Sequence, residues 1–237
     1  MNTNNDYILQ SLNHDQVIFS ITPFTLLDYP NKTACILWFA GCNMRCVYCY
    51  NPEIVVGKGK IAFSEVIQFL QKRKHLLDGV VLSGGECTLH KNIDSYIEEI
   101  KQMGFAVKID TNGSSPKVIE RLLQKNLINY VSLDFKSMHN KFESITKSNL
   151  FNNFQESLRI LNKGEIPFEI RTTIHSDLLL ESDIQKMINY LENENYKGTY
   201  YLQQFVNNTE TLGHIQNSKV IHITKKLKSR LKIELRN

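Results

Sequence analysis

The chain has little that would take it out of the ordinary globular class. It holds 11 glycines and 5 prolines among 237 residues, too few for a collagen-like or low-complexity chain. It lacks a long apolar run: Ala34 to Cys42, the most apolar stretch, falls far short of the roughly 20 residues that cross a bilayer. The first residues, MNTNNDYILQSLNHDQ, carry no basic cluster, apolar segment or small-residue cleavage site, so a secretory signal is not expected. It also lacks a strong charge of one sign. Lys and Arg number 28 against 24 Asp and Glu, a net charge of +4, too small to announce nucleic acid as a partner. The expectation is a soluble, cytoplasmic protein without a nucleic-acid or membrane partner. With 42% hydrophobic and 22% charged residues, the chain can bury a substantial core.

Five cysteines are an odd number for a disulfide framework, and three of them crowd into residues 42–49. In a reducing compartment such crowding points to a metal or a cluster.

Short β-branched or apolar runs recur along the chain: Thr33–Phe39, Gly79–Ser83, Phe105–Asp110, Tyr130–Asp134, Phe168–Ile174 and Thr199–Phe205. Helical periodicity fills the intervals at Ser64–His75, Lys91–Met103, Pro116–Lys125, Phe151–Asn162 and Glu181–Glu192, with Ser218–Lys228 read as a sixth helix. Ser64 is a candidate N-cap, and Pro116 suits a first helical turn. Val17–Ile21 reads as an extra strand or hairpin arm and Leu231–Arg236 as a final strand. Strands alternating with helices imply parallel pairing through right-handed crossovers. The expected fold is α/β, a partial (β/α)6 barrel in a single domain over residues 1–237. Residues 1–32 form an N-terminal extension, and residues 33–237 carry the β/α units and the last strand. Six units use nearly all of the length, leaving no room for the eight of a closed barrel.

In such folds the working residues gather at the C-terminal ends of strands. The cysteines follow the first β/α strand, Gly84-Gly85-Glu86 the second and Thr111-Asn112-Gly113 the third; Asp134 and Lys136 end the fourth, and His175 follows the fifth. His175 itself reads as structural. Cys42, Cys46 and Cys49 form a C-x3-C-x2-C loop between Gly41 and Pro52. Three thiolates can hold three corners of a [4Fe–4S] cube and leave one iron open, which a catalytic cluster needs. The alternative on the same residues is a Cys3His zinc site drawing on His75 or His90, in a non-catalytic α/β module. Cys35 and Cys87 complete no second C-x2-C pair.

These residues together resemble the radical S-adenosylmethionine (SAM) family: Cys42, Cys46 and Cys49, aromatic Tyr48 before the last cysteine, and Gly84-Gly85-Glu86 after a strand. The resemblance implies a [4Fe–4S] cluster on the three cysteines with SAM chelated to the open iron. It also implies reductive cleavage of SAM to a 5′-deoxyadenosyl radical. It places Gly84, Gly85 and Glu86 along the methionine part of SAM and Tyr48 beside its adenine. Within the family, Asp110-Thr111-Asn112-Gly113 and Leu133-Asp134-Phe135-Lys136 resemble activating enzymes of glycyl radical enzymes. There Asp110, Thr111 and Asp134 would hold a monovalent cation, and Lys136 would contact SAM. Two carboxylates converging on one rim call for such a counter-charge. Arg171 is a further candidate SAM contact.

Ile21-Thr22-Pro23-Phe24, Leu27-Asp28-Tyr29-Pro30, Asn51-Pro52-Glu53, Phe168-Glu169-x-Arg171-Thr172-Thr173 and Gln203-Gln204-Phe205 resemble the activators of anaerobic ribonucleotide reductase. The implied partners are that glycyl radical enzyme and an electron donor such as flavodoxin or ferredoxin. Asn43, Arg45, Tyr50 and Lys58 would form the docking edge. Activation of a pyruvate formate-lyase type enzyme, or chemistry on a small deazapurine precursor, is the alternative within the family. Two departures stand out: Tyr50 where relatives carry histidine, and Cys87 where proline is common. Lys225, Lys226, Lys228, Arg230 and Lys232 read as a solvated helix face.

Overall fold

β-Branched and apolar runs bounded by turn residues become strands, and three-to-four-residue apolar spacing becomes helices. The computed structural model describes residues 15–221 and 227–236. The chain divides into two compact units. The first holds the chain up to Asn43, Glu53–Asp110 and Arg121–Tyr130; the second holds Met44–Pro52, Thr111–Glu120 and the chain from Val131 onward.

In the first unit, β1 (Gln16–Thr25) forms a hairpin arm on β2 (Ala34–Phe39). The two are antiparallel, with Ser20 opposite Trp38 and Thr22 opposite Ile36. The two-residue β3 (Ile61–Ala62) pairs antiparallel with the outer edge of β1. On the other side β2 runs parallel to β4 (Gly79–Gly84), with Ile36 beside Val81, and β4 runs parallel to β5 (Ala106–Thr111). Val80, Val81 and Leu82 have no exposure, each burial worth roughly 1.5–3 kcal/mol. This continuous apolar run marks a parallel strand covered on both faces. The helices of this unit are α1 (Pro52–Val56), α2 (Phe63–Gln71) and α3 (Ile93–Gln102). In α3, Ile93, Tyr96, Ile97 and Ile100 recur on one buried face. Tyr96 packs against Phe63, ring centroids 4.4 Å apart. Helix α4 (Pro116–Gln124) follows β5, with Pro116 at its first position as expected.

In the second unit β6 (Tyr130–Asp134), β7 (Phe168–Ile174), β8 (Tyr200–Gln204) and β9 (Ile233–Arg236) are all parallel. Helices α5 (His139–Thr146), α6 (Phe151–Lys163) and α7 (Glu181–Asn193) connect them. Their core is aromatic: Phe135 stacks on Phe154 at 4.6 Å, and Phe151, Phe142 and Tyr190 surround the pair.

The α/β class and all eight expected strands are present, with bounds moved by at most a few residues, the largest change being the longer β1. Two expectations are corrected. Ser64 is not an N-cap, because the helix starts one residue earlier at Phe63; Ala62 takes the cap position and Glu65 accepts its N–H at 2.9 Å. Among the described residues Ser218–Ile221 and Leu227–Lys228 are not helical; the rest of the expected sixth helix, with Lys225 and Lys226, lies outside them. The backbone N–H groups there have non-helical partners: Ser218 donates to Asn207 Oδ1 and Lys219 to Ser176 Oγ. Side-chain acceptors of this kind compete directly with a helix. Lys228, Arg230 and Lys232 are nonetheless exposed.

Strand β9 is locked by charge. Arg236 donates to both oxygens of buried Glu169 on β7, at 3.0 and 2.9 Å, and lies 3.3 Å from the Tyr201 ring centroid. Ser132 gives Glu169 a third bond at 2.8 Å. Arg236→Met strands that carboxylate and should cost about 2–3 kcal/mol, discounted because Arg236 is partly exposed. In thermal denaturation the melting temperature should fall by about 5–10 °C. Adding Glu169→Gln to the same chain should recover most of the loss.

Candidate active site

The cysteine loop is held by its main chain. Lys147, in the left-handed conformation at φ 55°, ends α5. The carbonyls of Ile145 and Thr146 then have no helical partners. They accept N–H bonds from Val47 and Arg45, at 2.9 and 2.8 Å. On the other side, Leu212 N–H donates to the Cys49 carbonyl at 3.0 Å and Gly213 N–H to the Val47 carbonyl at 2.9 Å. Gly213 must be glycine, since a Cβ there would stand 2.7 Å from Val47. Cys46 is buried and Cys42 and Cys49 half-buried, none of them in a disulfide. Tyr50, the departure from histidine, accepts the Val206 N–H at 2.7 Å and packs on Phe205 at 5.3 Å. Its hydroxyl therefore ties the loop to the segment after β8. The docking candidates Asn43, Arg45 and Lys58 are exposed, Tyr50 only partly so.

In the first unit, Gly84-Gly85-Glu86 packs backbone to backbone against the residues that lead into the cysteines. Gly85 N–H donates to Phe39 O at 2.8 Å and Glu86 N–H to Gly41 O at 2.9 Å. A Cβ on Gly85 would lie 1.9 Å from Gly41 O; Gly84, at φ +115°, would place one 2.4 Å from Phe39 O. The expected role of these glycines, admitting a ligand, is thus joined by a stricter one: admitting the neighbouring strand exit. Glu86 is almost fully buried and accepts from Thr88 N–H and Oγ1 at 3.2 and 2.6 Å, capping a short turn at Cys87–Leu89. Cys87 is wholly buried, its thiol 3.7 Å from the Asp110 carbonyl. Burial, then the charges of Glu86 and Asp110, pushes its pKa well above the ordinary thiol value, so it stays protonated.

Asp110 Oδ1 lies 2.5 Å from Lys108 Nζ, and Oδ2 accepts from Ser83 Oγ at 3.0 Å. Thr111 and Asn112 serve their own turn: Thr111 Oγ1 accepts the Gly113 N–H, and Asn112 Oδ1 the Ser114 N–H. Gly113 is held by Ser157, whose hydroxyl donates to its carbonyl at 2.7 Å.

In the second unit Asp134 lies between two cations. Lys136 Nζ is 3.0 Å from Oδ2, and Arg171 reaches Oδ1 through Nε and an Nη, each at 3.0 Å. Lys136 also lies 5.8 Å from the Tyr48 ring centroid. Burial opposes its charge, but Asp134, Tyr48 and Cys46 outweigh burial and hold its pKa well above the ordinary lysine value. Tyr48 is buried, with no hydrogen-bond partner for its hydroxyl. Burial raises its pKa, and the charges of Cys46, Asp134 and Cys49 add to the shift while Lys136 opposes it.

Lys136 and Arg171 are cationic groups of the kind that a ligand carboxylate pairs with, and the buried Tyr48 hydroxyl near Lys136 has no hydrogen-bond partner. The donor set is three thiols. Among the described residues no three His, Cys, Asp or Glu side chains gather closely enough to share one metal ion, a convergence a cubane with one thiolate per iron does not require. The residues fit a cluster and SAM. His90, a candidate zinc ligand, donates from Nε2 to Ala40 O at 3.1 Å and packs on Phe39. His175 is structural as expected: Nε2 donates to Gln216 O, and Nδ1 accepts the Asp177 N–H.

The model of the Radical SAM superfamily matches residues 36–191. The chain belongs to that superfamily. A protein of Methanocaldococcus jannaschii named as a candidate glycyl-radical enzyme activating enzyme is 33% identical over 201 residues, 80% of each chain. The pyruvate formate-lyase-activating enzyme of Clostridium pasteurianum is 27% identical over 74% of this chain and 76% of its own. Streptococcus suis SuiB, solved with S-adenosylmethionine, superposes with a TM-score of 0.66 at 13% identity, over 83% of this chain and 48% of SuiB. The chain thus spans about half of SuiB, and at that identity the likeness is one of fold. This chain is a radical SAM enzyme related to activators of glycyl radical enzymes, and the zinc-module alternative falls. SAM and a [4Fe–4S] cluster are the cofactors of its family.

Sequence reasoning did not single out Lys108, Ser83 or the 206–213 segment. Lys108 carried a signal: a charge two residues before Asp110 on a central strand shares its face.

Gly85→Ala should destabilise the protein by roughly 2–3 kcal/mol, because the Gly41 carbonyl cannot move without losing the Glu86 bond; chemical denaturation measures it. Burial pushes Cys35 to about 12, and Cys87 is higher still than an ordinary thiol. Iodoacetamide on the native metal-free protein should label half-buried Cys42 and Cys49 and spare Cys35 and Cys87, by peptide mass spectrometry.

Proposed function

We propose that this chain is the activase of a glycyl radical enzyme, most specifically of an anaerobic ribonucleotide reductase. The observation that carries the reading is the cysteine loop: its main chain is anchored at Arg45, Val47 and Cys49, while Asn43 and Arg45 are exposed beside the thiols. Such an edge suits a protein substrate. The similarity to the M. jannaschii protein over 80% of both chains supports the same class.

In this reading Cys42, Cys46 and Cys49 hold the cluster, and Tyr48, Gly84, Gly85, Glu86, Asp110, Thr111, Asp134, Lys136 and Arg171 surround SAM. The cluster and SAM, once bound, supply a carbon radical able to take a hydrogen atom from a glycine Cα. The protein's part is to position and shield. Lys136 and Arg171, held by Asp134, offer positive charge to the SAM carboxylate. Gly84 and Gly85 fix the strand exit that Glu86 leaves. The partner must present its glycine on a mobile loop, since a buried backbone Cα cannot reach this rim. A cytoplasmic setting, a flavodoxin or ferredoxin as electron donor, and one radical SAM core over residues 33–237 complete the proposal. Among the described residues no helix is long and apolar enough to cross a membrane.

Anaerobically purified protein should be brown, hold about four irons and cleave SAM on reduction. Mixed with an anaerobic ribonucleotide reductase it should yield a glycyl radical signal in electron spin resonance. Signal with a pyruvate formate-lyase and none with the reductase would reassign the partner. Turnover of a small molecule without any glycyl radical would remove the activase reading. Cys46→Ala should abolish iron loading and SAM cleavage together. Lys136→Ala should keep iron while weakening SAM binding about 10–100-fold, the worth of a charge-assisted bond.

A further inference from the structure

A lysine occupies the middle of β5, where its neighbours Val107 and Ile109 have no exposure at all. Lys108 is itself only 1% exposed. A lone ammonium cannot be buried this way without a partner. Residues two apart on a strand share a face, and that face carries Asp110, whose Oδ1 lies 2.5 Å from the Lys108 Nζ. Ser83 on β4 takes the other oxygen at 3.0 Å. Both oxygens of the carboxylate are engaged, and its charge is matched within the first unit.

The family likeness implied a monovalent cation on Asp110, Thr111 and Asp134, on the ground that paired carboxylates need a counter-charge. The residues present do not fit that ion. Asp110 has Lys108; Asp134 has Lys136 and Arg171. The Thr111 hydroxyl oxygen accepts the Gly113 N–H at 3.1 Å. An alkali ion on Asp110 would stand a few ångströms from the Lys108 ammonium. Repulsion at that range weakens its binding on the order of a thousandfold.

We propose that Lys108 is the built-in counter-cation of Asp110, standing where relatives would use an alkali ion, so that this enzyme binds SAM without a monovalent cation. The proposal rests on the reading of the chain as a SAM-binding enzyme. Lys108 is a positioning residue: it fixes the Asp110 carboxylate and keeps the strand end neutral.

The test has two arms. In the first, cluster-loaded protein is titrated with SAM by calorimetry in potassium, in sodium and in tetramethylammonium, which is too large to be coordinated. Dissociation constants within about threefold of one another are expected, and a larger weakening in tetramethylammonium overturns the proposal. In the second, thallium-205 resonance reports Tl⁺ binding, a potassium surrogate, to the protein without SAM. The wild type should show none, and Tl⁺ binding by the wild type overturns the proposal. Lys108→Met removes the ammonium that lies 2.5 Å from Asp110 Oδ1 and should acquire Tl⁺ binding and a melting temperature that rises with potassium. A folded Lys108→Met that binds no Tl⁺ makes Lys108 a mere core ion pair and also overturns it. If that variant does not fold, the wild-type thallium result decides. If SAM binds in none of the three buffers, the SAM reading itself fails, and the thallium arm still decides for Lys108.

Discussion

The carbonyl of Gly41 is the point around which the first unit's rim is built. It accepts the Glu86 N–H at 2.9 Å, and it occupies the space that a side chain on Gly85 would need. The exit of β2 and the exit of β4 are therefore in direct backbone contact, with Gly84 turned to φ +115° to allow it. Parallel pairing of Phe39 with Gly84 brings the two chains to this point together. Everything downstream inherits that registration: Cys42 begins the cysteine loop one residue later, and Glu86 is directed inward to cap its own turn. A G-G-E after a strand is thus less a ligand cradle on its own than a joint, and whatever SAM contacts it provides depend on that joint being closed.

The strands were legible because each signal was local. Val80 to Leu82 is an uninterrupted apolar run between turn residues, and Val131 and Leu133 flank a single buried serine; such segments admit few other conformations once helices flank them. The site was legible in outline for a different reason: thiols at C-x3-C-x2-C spacing have few structural uses in a chain without disulfides. What escaped was set by contacts distant in sequence. Nothing near Ser218 announces that Asn207 will accept its N–H, or that Ser176 will accept the N–H of Lys219. Nothing near Val47 announces that Gly213 will lie against it. Lys108 lay between: its spacing from Asp110 was visible, but only the burial of both neighbours turns a strand lysine into an obligatory ion pair.

Charge is apportioned differently in the two units. Around Asp110 the carboxylate is matched by the ammonium of Lys108, which lies fully inside. Around Asp134 two cations, Lys136 and Arg171, meet one carboxylate, which fixes both side chains at the strand ends.

The cysteine loop shows why its own sequence is so sparse. A thiol that must ligate iron cannot also anchor the chain, so the anchoring falls to groups that every residue carries. Arg45, Val47 and Gly213 contribute N–H groups, and Cys49 contributes a carbonyl; none of these roles needs a particular side chain except where bulk is forbidden, at Gly213. Tyr50 is the exception among side chains, because its hydroxyl accepts the Val206 N–H and so replaces one more main-chain contact. The Tyr50–Val206 bond therefore sets where the segment after β8 is held against the loop, and with it the contour beside the thiols.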